Sequence, residues 1–121
     1  MSYSETRYLE DKKILISSII QNKMDKEQAK LVFEEVNKAV SDYSEYTDFI
    51  LDTGNVKDVT IASFGYLMKA FSLVKKTADY MVIVMQEDIL QNFMLTNPEL
   101  FDFLAVFFNI EEAVEFIESK R

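Results

Sequence analysis

The chain has 121 residues, a formal net charge of −8, and neither histidine nor cysteine. The length suits one domain, and the missing residue types remove disulfides, thiolate metal sites, thiol nucleophiles and the commonest general base and metal ligand. The negative charge disfavours nucleic acid and anionic membranes as partners.

Residues Tyr3 to Leu9 read as a first strand, suited to a sheet edge because Glu5 and Arg7 lie within it. Glu10-Asp11-Lys12 is a polar turn, and Lys13-Ile14-Leu15-Ile16-Ser17 is a β-branched run that pairs with the first strand as a hairpin. The period then changes. Asp25 with Gln28 three residues on is a capping-box start. Ala29, Val32, Phe33, Val36, Ala39, Val40 and Tyr43 fall on one helical face, with Lys26, Lys30, Glu34, Glu35 and Lys38 on the other. A helix is predicted over about 25–44.

Phe49 to Asp52 is the next core strand, and the turn residues Thr53, Gly54 and Asn55 follow it. Val56 to Ile61 reads as an irregular or strand-like connection. A second helix is predicted from about Ser63 to Thr77, with Leu67, Met68, Phe71 and Val74 as its stripe and Lys69, Lys75 and Lys76 outward. Tyr80 to Met85 is an uninterrupted apolar run, as in strands covered on both faces. Asp88 to Leu95 is a short helix, and Asn97-Pro98-Glu99 turns or restarts the chain. Phe103 to Phe108 is the last strand. Asn109 caps a final helix with Glu111 and Glu112 in its first turn and Ile110, Ala113, Val114 and Ile117 as its buried stripe.

The order β-β-α-β-α-β-α-β-α predicts an α/β fold. Its sheet would be mixed but mostly parallel, with four or five strands, an antiparallel N-terminal edge hairpin and about four helices, in one domain spanning residues 1–121. No apolar run is long enough to span a bilayer, and MSYSETRYLEDKK lacks the form of a signal peptide, so a cytoplasmic protein is expected.

The stretch from Phe49 to Phe71 resembles the signature region of the domain shared by sulphate transporters and anti-sigma-factor antagonists, the STAS domain. Members have an apolar strand ending in Asp, a short loop, then Asp-Ser-Ser/Thr-Gly-Leu opening a helix. Here the strand ends at Asp52, the loop ends Val59-Thr60-Ile61, and the signature position reads Ala62-Ser63-Phe64-Gly65. Met81 to Met85 and Asn109-Ile110-Glu111-Glu112-Ala113 are similar to the family's next strand and closing helix.

In the antagonist branch the first serine of the signature is phosphorylated by an anti-sigma-factor kinase, which switches binding off. The resemblance therefore implies Ser63 as a regulatory phosphosite. It places Asp52, Thr60, Ala62, Phe64 and Tyr66 at a partner-binding surface. Two positions depart from the family: Ala62 replaces its Asp, and Phe64 its small residue. Read from the residues alone, Ser63 caps a helix.

The expected function is a non-enzymatic regulatory module. Its partner would be an anti-sigma factor, a serine kinase or a stress-signalling scaffold, and a homodimer is compatible with its edges and apolar patches. The alternative is an apolar small-ligand or lipid carrier, suggested by a neighbouring family of similar topology without the serine signature. No cofactor or metal motif is present: calcium-loop spacing is missing, and Gly54 and Gly65 are the only glycines, too few for a phosphate-cradling loop. Asp48 with Asp52, Glu87 with Asp88, and the Glu111–Glu115 group read as caps and solvated faces. The phenylalanines and methionines read mainly as core, with Phe64, Tyr66 and Phe108 as candidates for an exposed docking patch.

Overall fold

The computed structural model describes residues 3–71 and 80–121. Its elements are β1 (Ser4–Leu9), β2 (Ile14–Ile19), β3 (Lys23–Met24), α1 (Lys26–Ser41), β4 (Asp48–Asp52), β5 (Asp58–Val59), α2 (Ile61–Phe71), β6 (Met81–Val84), α3 (Glu87–Thr96), a 3₁₀ turn (Pro98–Asp102), β7 (Leu104–Phe107) and α4 (Ile110–Ser119). The main sheet runs β1-β2-β4-β6-β7. Among the described strands of this sheet, β1–β2 is antiparallel, and β2–β4, β4–β6 and β6–β7 are parallel. The expected α/β architecture with its N-terminal edge hairpin is therefore what the chain adopts.

Alternation along each strand sorts side chains onto two faces. Leu15, Phe49, Leu51, Ile83 and Leu104 face one way and pack with Ala29, Val32 and Val36 of α1, Phe64 of α2, and Ile89 and Phe93 of α3. Ile14, Ile16, Ile50, Val82 and Val84 face the other way and pack with Ala113 and Ile117 of α4. Both faces are covered, which is why the strands read as unbroken apolar runs. Each fully buried Leu, Ile or Phe contributes about 1.5–3 kcal/mol.

The helix starts follow local chemistry. Asp25 accepts from the Gln28 amide N–H at 2.8 Å while Gln28 Oε1 accepts from the Asp25 N–H at 3.3 Å, so the expected capping box is present. Asn109 Oδ1 accepts from the Glu112 N–H at 2.9 Å. At its far end α4 is tied down by two ion pairs. Lys12 Nζ reaches Glu118 at 2.6 Å, and Arg121 Nη2 reaches Asp48 Oδ2 at 2.8 Å.

Two details depart from the sequence reading. A two-residue parallel pair, β3 with β5, joins the β2–α1 loop to the β4–α2 loop. Glu35, expected on the solvent face of α1, is half-buried; it accepts from the Tyr3 N–H at 2.9 Å and the Ser4 N–H at 3.0 Å, fastening β1 to the helix. At Pro98 the chain restarts as a short 3₁₀ helix with the proline at its first position, one of the two outcomes expected there. The expected helix between Phe71 and Thr77, with Val74, Lys75 and Lys76, lies outside the described residues, as do the side chains of Leu67, Lys69 and Phe71.

Candidate functional site

Because β2, β4, β6 and β7 run parallel, their carboxyl ends lie at one end of the sheet, and the N-termini of α1, α2, α3 and α4 gather there too. This is the end at which open α/β sheets place their sites. Its centre is the turn after β4. Asp52, half-buried, accepts from Ser18 Oγ at 2.9 Å through one carboxylate oxygen and from the Gly54 N–H at 2.9 Å through the other. Thr53 donates from its N–H and its hydroxyl to the Val84 carbonyl, at 2.8 and 2.6 Å. Gln86 Nε2 donates to the Gly54 carbonyl at 2.9 Å, and the Lys57 N–H to the Asn22 carbonyl at 2.7 Å. The loop is thereby fastened to three neighbouring segments. Gly54 sits close to its neighbour: a Cβ there would lie 3.0 Å from Asp52 Oδ1, which would have to give way by a few tenths of an ångström.

Between this turn and the start of α4 lies an open concavity of about 530 Å³, lined by Asp52, Gly54, Asn55, Val84, Phe108, Asn109, Ile110 and Glu111. Its acidic side chains are joined at the same end by exposed Glu87, Asp88 and Glu112. Phe108 is 51% exposed and supplies an apolar wall. The combination suits a partner surface carrying positive charge beside an apolar group. Asp48 lies at the opposite end of β4 from Asp52, engaged by Arg121, so these two carboxylates do not converge.

At the start of α2 the cap is shifted from the expected position. The Thr60 carbonyl accepts the first helical bond, from the Phe64 N–H at 3.0 Å, which makes Thr60 the N-cap and Ser63 the third helical residue. Thr60 Oγ1 accepts from the Ser63 N–H at 3.1 Å, and Ser63 Oγ accepts from the Thr60 N–H at 3.0 Å. The pair forms a capping box in which serine does the work usually given to Glu or Gln. Ser63 Oγ also donates to the Thr60 carbonyl at 2.8 Å, and the residue is 0% exposed. A phosphate could not be placed on this oxygen without opening the first turn.

The other residues expected at the partner surface divide. Thr60 and Ala62 are exposed; Asp52 and Tyr66 are half-buried, Tyr66 packed against the core. Phe64 corrects the expectation of an exposed aromatic. It is 2% exposed, with its ring centroid 4.8 Å from that of Phe93. One helical step after a buried Ser63, its side chain points to the sheet rather than to solvent. Of the other two aromatics expected outside, Phe108 is exposed and Tyr66 is only half so.

Among the described residues the free space beneath α2 and α3 is small. A cavity of about 10 Å³ lies between Thr53, Val56, Val59, Phe64, Met85, Ile89 and Phe93. That is room for about one water and none for a lipid chain. Among the described residues no helix is long and apolar enough to cross a membrane. The concavity beside α4 had no signal in the sequence, because Asp52, Phe108 and Glu111 are brought together only by the pairing of β4, β6 and β7. No protein-family model matches the chain, and no curated protein matches it significantly.

Proposed function

We propose that the chain is a non-enzymatic regulatory module that docks a partner protein at the loop end of its parallel strands. In this it would act in the manner of the anti-sigma-factor antagonists that its Phe49–Phe71 stretch resembles. The observation that carries the reading is the fastened loop end itself. It offers a half-open acidic concavity with an exposed Phe108, flanked at the same end of the sheet by exposed Thr60 and Ala62, on a frame too tightly bonded to act as a lid. The small interior cavity weighs against the carrier alternative, since an apolar ligand needs a preformed pocket of several hundred Å³.

The partner expected from this chemistry is a protein with a basic, partly apolar docking surface, such as a serine-kinase anti-sigma factor. The burial of Ser63 makes binding the first event. Phosphorylation would follow only where the first turn of α2 opens. Isothermal titration of the folded protein against the serine-kinase anti-sigma factors of its own genome tests this. A complex weakened at least about tenfold, or about 1.4 kcal/mol, by Ala62→Arg or Phe108→Glu is expected. A folded protein that forms no complex and takes no phosphate would remove the proposal.

A further inference from the structure

The two edges of the sheet are built differently. β1 carries exposed Glu5 and Arg7, charges of the kind that keep an edge from pairing with another strand. β7 lies within the apolar run Phe103–Phe108 and carries neither charge nor proline, and Phe103 is 58% exposed. The Phe103 and Phe107 carbonyls accept from the Met81 and Met85 N–H groups, both at 2.9 Å, so the odd-numbered residues turn their peptide groups toward β6. By alternation the N–H and C=O of Leu104 and Val106 point to the outer side, where no strand lies among the described residues.

We propose that β7 pairs antiparallel with β7 of a second copy, about a twofold axis at Ala105, joining two five-stranded sheets into one. The run reads nearly the same in both directions: Phe103, an aliphatic residue, Ala105, an aliphatic residue, Phe107. A twofold interface requires this self-complementarity. In this register Leu104 exchanges both backbone bonds with Val106 of the second copy. Ala105 meets Ala105 at the close, non-hydrogen-bonded position, and exposed Phe103 comes opposite Phe107, an aromatic pair. Phe107 already stands in a cluster with Phe116 (centroids 5.2 Å apart), which the pairing extends across the seam. A register shifted to centre on Val106 would instead bring Asp102 toward Ile110 and Glu111, setting like charges together. The charged β1 edge stops further addition, so the assembly closes at two.

A seam of one four-residue strand from each copy falls among weak interfaces, well short of the ~1,600 Å² of a stable one, so the range to search is centred on roughly 100 μM. Sedimentation equilibrium spanning about tenfold below to tenfold above that value tests it. Wild-type protein is expected to pass from monomer to dimer, with slowed amide exchange at Leu104 and Val106. Phe103→Lys, at an exposed position, should weaken the dimer at least about tenfold. Val106→Pro removes an N–H that bonds nothing in β6 and should give monomer throughout, with folding checked by circular dichroism. A wild-type monomer at all concentrations, growth beyond the dimer, or a dimer unmoved by both variants overturns the proposal. Phe103 and Val106 stand outside the loop-end concavity, so this outcome is independent of partner docking there.

Discussion

Replacing Ser63 separates a structural hydroxyl from a regulatory one. In Ser63→Ala the Thr60 N–H loses its acceptor at 3.0 Å, and the reciprocal half of the α2 capping box disappears. Loss of one such hydrogen bond costs about 0.5–1.5 kcal/mol. Thr60 is exposed, so water can reach the freed N–H, and the expected value is about 1 kcal/mol, or about 3–5 °C in melting temperature for a chain of this length. Ser63→Glu is a different perturbation, because it forces one further methylene and a carboxylate, in place of a hydroxyl, into a fully buried position. Overpacking and the desolvation of a carboxylate, even with the Thr60 N–H in reach, together cost upward of about 3 kcal/mol. Urea unfolding followed by circular dichroism measures both. An accessible regulatory hydroxyl would behave otherwise: the alanine variant within about 0.3 kcal/mol of wild type, the glutamate variant folded and equally stable. That pair of results would refute the buried-cap reasoning.

Other outcomes follow from the same geometry. Phe64→Ala should cost about 3–5 kcal/mol, since its ring is buried against Phe93, and a denaturation midpoint near wild type would return it to the surface. Gly54→Ala should destabilise by pressing a Cβ against Asp52 Oδ1, and its cost should shrink in an Asp52→Ala background; strict additivity in that double-mutant cycle would refute the contact.

Melting temperature should fall as pH rises above about 10. The hydrogen bond to Glu118, and then that residue's charge, hold the Lys12 ammonium above the usual lysine value; burial, then Glu45 and Glu10, raise the Tyr8 phenol. Both groups hold their protons more tightly when folded. Their contribution is therefore complete below the unfolded values of about 10 to 10.4, and is lost as pH climbs through the folded ones. Lys12→Gln should flatten part of that decline, and a melting temperature constant to pH 11 would contradict it.

The hairpin, the α1 capping box, the covered strand Met81–Val84 and the Asn109 cap were legible in the sequence because each depends on residues within a turn or two of one another. Local spacing carries that information. The α2 start was read nearly correctly, but the choice between Thr60 and Ser63 as cap depended on which of them the sheet buries. Glu35 looked like a solvated helix residue until β1 brought the Tyr3 and Ser4 amides to it. Phe64 looked free until α3 placed Phe93 beside it. The sequence by itself thus determined the elements, their order and their apolar faces. Tertiary structure alone decided which polar groups became fasteners, where the acidic concavity opened, and which strands lie at the two edges of the sheet. Those outcomes rest on contacts between residues far apart in the chain, and periodicity along one segment does not encode them.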